Sequence, residues 1–340
     1  MKALVYEAPR VMNLRDVPEP APGPDEALIQ VAFSGICGSE LSGFLGQNSL
    51  RRPPLIMGHE FSGTIVALGE QAALFNPDLA IGRRVTANPL AYCGRCRYCL
   101  GGRHQLCPQR RLLGAHRPGS YAALVAAPAA SVLPLPDTLS LEHAALTEPL
   151  ACALRAIQQA GCTALDRAAV IGLGPIGLLT LQALRHFGVE IVCATDTDAD
   201  RRAMGAHFGV RALDPLADDV AAEVRVATEG IGADVIFDAV GTDATRRQAL
   251  ELVASGGRVV LVGLHAEESP IPINAVIRRE VSLLGSFAYT PNIFAAALSW
   301  LAAGRITIDP WLLKAPLAEG GACFERLLGK PGPVAKILLH

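Results

Sequence analysis

The stretch Val170 to Leu184, VIGLGPIGLLTLQAL, leaves a chain few folds to choose from. An apolar run meets Gly172, Gly174 and Gly177 in the spacing GxGxxG, an amphipathic segment follows, and a second apolar run ends in Asp196, nineteen residues after Gly177. Glycines at that spacing let backbone N–H groups and a helix N-terminus approach a pyrophosphate, while an acid at the tip of the next strand accepts ribose hydroxyls. The six-residue pattern alone is weak. Its place between two strand-like runs makes it a strand–helix–strand unit, and such units need a parallel sheet covered on both faces.

That texture extends over only part of the chain. From Ala168 the apolar runs AAVIGLG, EIVCATD, ADVIFDAVG and GRVVLVGL alternate with helical stretches. Before about residue 147 the runs are short and β-like (ALVYE, EALIQVAFSG, EFSGTIVALG, RRVTANPL, YAALVAAP) and are broken by Pro and Gly, including Pro18, Pro20, Pro22 and Pro24. That punctuation predicts an all-β, partly barrel-like unit. After residue 286 the helical run PNIFAAALSWLAAG leads to a tail ending in the strand-like AKILL. A chain of 340 residues exceeds what one core usually serves. The expected division is therefore 1–148, 149–286 and a C-terminal segment 287–340 that returns to the first domain.

Composition narrows the class further. Hydrophobic residues make up 51% and charged residues 18%, which excludes a disordered chain, and a net charge of −2 offers nothing overall to a polyanion. No apolar run approaches the roughly 18 residues of a membrane span, and the N-terminus lacks signal-peptide character, so a soluble cytoplasmic protein without a membrane partner is expected. Between Leu79 and Pro136 there are eight arginines and no Asp, Glu or Lys. Without interleaved aromatics or a recognition helix, this stretch reads as a solvated basic lobe and no nucleic-acid partner is expected.

Nine cysteines in a reducing compartment favour metal binding over disulfides. Cys93, Cys96, Cys99 and Cys107, in a lobe spanning residues 90–110, follow C-x2-C-x2-C-x7-C. Four thiolates would fill a tetrahedral site and leave no open position, so this site reads as structural zinc. A ferredoxin-type run shares its beginning but places three residues before its last cysteine, where this chain has seven. A second set is scattered: Cys37 in GICGSE, with His59 and Glu60 in MGHEF. Thiolate, imidazole and carboxylate form a mixed donor set with room for water or substrate, as catalytic zinc requires. The HE pair is not the start of HExxH, because position 63 is Gly63.

In this order, ICGSE, GHE, the four-cysteine lobe and GLGPIG resemble the zinc-dependent medium-chain alcohol dehydrogenases over nearly the whole chain. LTEPLACAL around Glu148 looks most like the polyol and secondary-alcohol branch (sorbitol, butanediol, galactitol-phosphate and threonine dehydrogenases), where a Glu stands at the position of a cysteine ligand in liver-type enzymes. The resemblance implies an α/β protein with a GroES-like β-barrel catalytic domain and a Rossmann doubly wound parallel sheet. It implies two zinc ions per chain, a small-molecule alcohol or ketone substrate, and a homodimer or homotetramer, and because Asp196 would repel a 2′-phosphate NAD is expected over NADP.

Carried over by motif, Cys37 and His59 would ligate the catalytic zinc, with Glu60 and Glu148 completing the sphere directly or through water. Ser39 would receive the substrate proton. Pro175 and Ile176 would back the nicotinamide, Asp196 would hold the adenosine ribose with Arg201 softening the preference for NAD, and Val262, Gly263 and Leu264 with Gly285, Ser286 and Phe287 would line the nicotinamide end. Two departures stand out: Ser42 lies where many relatives carry a relay His, and Ala288 where sorbitol dehydrogenases carry an Arg. Two rival readings are a zinc-stabilised nucleotide-binding regulatory protein and a zinc-free reductase of the same superfamily.

Overall fold

Strand Glu26–Gly35 is the hub of the N-terminal part of the molecule. In the computed structural model, which describes residues 1–340, it pairs antiparallel with Glu60–Leu68, Leu124–Pro128 and Lys336–Leu339. These strands belong to a seven-stranded sheet that also takes in Arg84–Ala87, Val132–Pro134 and Leu312–Ala315. Only the Leu312–Ala315 pairing with Lys336–Leu339 is parallel. Two apolar clusters fill this part, one around Ile29, Phe61, Ile65 and Val85, the other around Tyr6, Phe44, Tyr121 and Phe324. Register fixes the details that matter later: Gly35 lies opposite Glu60 on one side and opposite Leu338 on the other.

The chain divides into two compact units, the first made of Met1–Glu148, Tyr289–Gly304 and Leu312–His340, the second of Pro149–Ala288 and Arg305–Trp311. The second unit holds a six-stranded, all-parallel sheet. Its spatial order is Ala212–Leu213, Glu190–Thr195, Arg167–Ile171, Ala233–Asp238, Val253–Leu261 and Ser282–Gly285. Counted in chain order this is 3-2-1-4-5-6, the doubly wound arrangement whose order reverses beside the first strand. Arg167–Ile171 is buried at every position after Arg167, which is why it reads as a continuous apolar run. Helix Pro175–His186 starts at once after it, with Gly174 as N-cap and Pro175 at the first position, where a missing N–H costs nothing. A side chain at Gly177 would collide with the Gly172 carbonyl oxygen, so the tight strand-to-helix turn admits only glycine there.

In-register pairing brings the C-terminal ends of five strands to one edge: Ile171 faces Thr195 and Asp238, Asp238 faces Leu261, and Leu261 faces Gly285. Residues just beyond these ends therefore share one rim, where ligands bind in open parallel sheets. No helix in the chain is long and apolar enough to cross a membrane.

Candidate active site

The four clustered sulfurs come together as their spacing predicts. Cys93, Cys96, Cys99 and Cys107 converge with all sulfurs within 4.8 Å of one another, and three of the separations are 3.5, 3.6 and 3.9 Å. A tetrahedron with Zn–S bonds of about 2.3 Å has edges of roughly 3.8 Å, so the donor set fits zinc. Backbone N–H groups of Arg95 and Cys96 pull the Cys93 thiol down to about 6, favouring the thiolate that metal binding needs. No protein atom in this group is placed to react.

The second cluster is built differently. Cys37 ends the hub strand's exit and N-caps the short helix Gly38–Phe44, whose third residue, Glu40, accepts the Cys37 N–H at 3.1 Å. His59 immediately precedes, and Glu60 begins, the neighbouring strand Glu60–Leu68. Cys37 Sγ, a His59 ring nitrogen and a Glu60 oxygen all lie within 4.8 Å of one another. Glu40 is fully buried and takes four donors: the N–H groups of Cys37 and Gly58, the Tyr121 hydroxyl and His59 Nδ1. Burial pushes its carboxyl up, but His59, Arg51 and Tyr121 outweigh burial and hold it at about 2. A carboxylate with no proton to give must receive one from Nδ1, so Nε2 is the nitrogen left for the cluster. Burial also opposes a charge on His59, yet Glu40 and Cys37 raise its pKa well above the usual value. An imidazole flanked by anions favours a nearby cation, and thiolate, imidazole and carboxylate suit zinc.

Glu60 has an unexpected partner. Lys336, 1% exposed, donates to both Glu60 oxygens at 2.9 and 2.6 Å and to the Ile36 carbonyl at 2.9 Å. Glu148 stands outside the three convergent donors. Burial, reinforced by Glu60, pushes its carboxyl up to about 6 against the pull of His59, the Tyr289 hydroxyl and Lys336. Ser39 Oγ lies 3.3 Å from Cys37 Sγ and 3.0 Å from Arg51 Nη2. Ser42 gives its hydrogen to the Ser39 carbonyl at 2.9 Å, so it does not extend a hydroxyl chain from Ser39 Oγ.

In the second unit, the sheet rim gathers Gly172, Gly174, Pro175, Ile176, Gly177, Asp196, Val262, Gly263 and Ser286 beyond the strand ends. Asp196 latches onto the glycine turn: one oxygen accepts the Leu173 N–H at 2.8 Å and the other the Asp198 N–H at 2.9 Å. Arg201 Nη1 sits 3.9 Å from that carboxylate, while Arg202 is bound to the Asp196 carbonyl and to Asp214. Val262 and Gly263 both donate to the Asp238 carbonyl at 3.0 Å. Leu264 and Phe287 are 77% and 42% exposed.

Comparison with known proteins gives this arrangement its family. The profile described as alcohol dehydrogenase GroES-like domain matches residues 23–137, and the one described as zinc-binding dehydrogenase matches residues 175–303. The chain belongs to the zinc-dependent alcohol dehydrogenases. This dehydrogenase is 35% identical to D-arabitol-phosphate dehydrogenase of Enterococcus avium, over 96% of its own length and 94% of that protein. It is 36% identical to sorbitol dehydrogenase of Halalkalibacterium halodurans, over 100% and 99% of the two chains. A zinc-binding dehydrogenase from Sinorhizobium meliloti, solved bound to NADP, superimposes with a TM-score of 0.90 at 34% identity, covering 99% of this chain and 98% of that one. The GroES-like plus Rossmann architecture expected from the sequence is thus the one the dehydrogenase has.

Three residues of this dehydrogenase's site escaped the sequence reading. Glu40 had a local signal, an acid three residues after a helix N-cap. Lys336 had none, because its partner Glu60 lies 276 residues away. Arg51 likewise gave no sign that it folds back onto Ser39, twelve residues earlier.

Proposed function

We propose that the dehydrogenase oxidises a secondary alcohol, diol or polyol with NAD, and reduces the matching ketone in reverse, at the Cys37, His59 and Glu60 cluster. The observation that carries this reading is the convergence of those three donors within 4.8 Å beside the Ser39 hydroxyl, with His59 Nδ1 already committed to Glu40. The residues that would hold zinc are Cys37 and His59, with Glu60 or Glu148 completing the set. The chemistry zinc supplies when bound is Lewis acidity, which can bring the pKa of water from about 15.7 to about 7.

The chain's own residues do the rest. Glu40 fixes the His59 tautomer and ring orientation, a role whose loss typically costs about 10- to 100-fold in metal affinity or activity. Lys336 balances the Glu60 charge in a buried setting. Ser39 Oγ would accept a hydrogen bond from the substrate hydroxyl. Ser42 is turned to the Ser39 carbonyl and so does not carry a proton onward from Ser39 Oγ. NAD, when bound, would supply the nicotinamide that takes up the carbinol hydride.

NAD is favoured over NADP because the Asp196 carboxylate stands where a 2′-phosphate would be repelled, and Arg202 is already engaged by Asp214 at 3.1 Å. The open edge strand Ser282–Gly285 and exposed Ile273 and Ile277 on the helix preceding it in the chain support a homo-oligomer, which light scattering measures. None of the nine cysteines is paired in a disulfide, in keeping with a reducing cytoplasm.

The test is nicotinamide reduction, followed by absorbance, with NAD and NADP against secondary alcohols, diols, sugar alcohols and their phosphates. Turnover with NAD at least about tenfold more efficient than with NADP, and a preference worth about 1.4 kcal/mol reduced in Asp196→Asn, is the expected result. Undiminished turnover in Cys37→Ser protein lacking one of two zinc ions would end the reading.

A further inference from the structure

Arg51 is a buried cation beside the site to which the reaction scheme gives no part. It is 3% exposed, and its Nε–H has no partner within the protein. Its Nη2 donates to Ser39 Oγ at 3.0 Å, and Ser39 Oγ also lies 3.3 Å from Cys37 Sγ. A guanidinium carries donors only, so that bond has one possible direction. The Ser39 oxygen must accept from Arg51, and the single Ser39 hydrogen is left for the Cys37 sulfur. One lone pair then remains for an incoming hydroxyl.

The surroundings hold Arg51 in that pose. Its backbone N–H bonds the Asn48 carbonyl at 3.1 Å, and its aliphatic stem crosses Gly43 so closely that a Cβ there would lie 2.5 Å from Arg51 Cδ. The Ser39 carbonyl is gripped as well, by Asn48 Nδ2 at 3.3 Å and Ser42 Oγ at 2.9 Å. Ser39 is therefore fixed at both ends, with its hydroxyl clamped by Arg51 and its backbone by Asn48 and Ser42. A buried guanidinium with an unbonded N–H is costly, and although its charge favours the buried Glu40 carboxylate, that attraction does not require the bond to Ser39 Oγ. Serine otherwise rotates freely among donor and acceptor roles.

We propose that Arg51 is a positioning residue for the Ser39 hydroxyl: it presents Ser39 Oγ as a hydrogen-bond acceptor toward the substrate hydroxyl and aims the serine's own hydrogen at the Cys37 sulfur. The proposal rests on the reading of Ser39 as a partner of the substrate hydroxyl given above.

The experiment compares Arg51→Gln, Arg51→Lys, Ser39→Ala and the Arg51→Gln/Ser39→Ala pair, each with two zinc ions per chain confirmed by metal analysis. Arg51→Gln is expected to lower kcat by about 10- to 100-fold while leaving the KM for NAD within about twofold, the range typical of residues that orient a reacting group. Arg51→Lys, which retains a pure donor, restores most of the loss. In the Ser39→Ala background Arg51→Gln adds less than about threefold, because its effect runs through Ser39. A second readout does not depend on turnover: with cobalt(II) in place of zinc, the sulfur-to-cobalt absorption band shifts alike in Arg51→Gln and Ser39→Ala, since each removes the hydrogen bond to Cys37. Gly43→Ala, which displaces the arginine stem while retaining the residue, repeats both effects should Arg51→Gln fail to fold. Multiplying effects in the double variant, or a cobalt band identical to wild type in both Arg51→Gln and Gly43→Ala, would overturn the proposal. Full activity in Ser39→Ala would instead remove the reading of Ser39 as partner of the substrate hydroxyl, and the cobalt band would still report whether Arg51 orients the hydroxyl.

Discussion

The cysteine lobe and the Cys37 cluster both gather metal-type donors, yet they are assembled by opposite means. All four lobe sulfurs come from one segment, Cys93 to Cys107, and two of them, Cys93 and Cys96, are half-exposed. The other centre draws donors from Cys37, His59 and Glu60 and orients them with Glu40, Tyr121 and Lys336, all of them buried except Cys37. In the lobe the protein contributes little beyond four sulfurs in the right order. In the Cys37 cluster most of the construction lies around the donors, in charges that hold an imidazole, a carboxylate and a hydroxyl in place. A site that only has to hold an ion can be local. One that must also leave an open position for chemistry needs support from distant chain.

The sharpest way to break this comparison is to remove one ligand from each centre. Cys107→Ser and His59→Ala should each leave one zinc per chain but fail in opposite ways. The first should melt the lobe, since structural zinc contributes on the order of 10 kcal/mol or more in zinc-finger peptides. The second should leave the lobe folded, although stranding the buried Glu40 carboxylate lowers stability, while turnover falls at least about 1,000-fold, or roughly 4 kcal/mol of barrier. Loss of the lobe's structure in both variants would erase the distinction.

Next in size is the buried ion pair. Lys336→Met strands the Glu60 carboxylate and should cost about 3–5 kcal/mol in urea unfolding, whereas Lys336→Met/Glu60→Gln should recover most of it. A similar loss in both would mean that packing of the lysine stem, not charge, holds the strand.

The smallest expected effect concerns pH. The folded Glu40 carboxyl, at about 2, lies below its ordinary 4.5, so its contribution is present above that value and disappears as pH falls from 4.5 toward 2. In zinc-stripped protein the stability gap between wild type and Glu40→Gln should be on the order of 3 kcal/mol near neutrality and close across that window. A gap that persists at pH 2 would place the effect of Glu40 in its shape, not its charge.

The same contrast explains what could be read from the chain. The run EALIQVAFSG became strand Glu26–Gly35, and PNIFAAALSWLAAG begins helix Pro291–Ala302, because each carries its own period and its own stop signals. The doubly wound sheet followed from GLGPIG in its strand and helix setting, and the family profiles agree with that class. The lobe was equally plain, since one spacing contains the whole site. Lys336 shows where such reading stops. In AKILL it looks like any surface lysine, and only the register that sets Leu338 against Gly35, and Gly35 against Glu60, turns it inward. Arg51 depends in the same way on a loop folding back over Gly43, which no periodicity records.

The Glu60–Lys336 bond also limits how such chains can be recombined. A crossover that exchanges the early β-structure with a relative while retaining this C-terminal strand separates two residues that must be inherited together. Chimeras cut at the texture change near residue 148 would look modular on paper and still carry an unbalanced charge into their interior, unless the final strand travels with the first half.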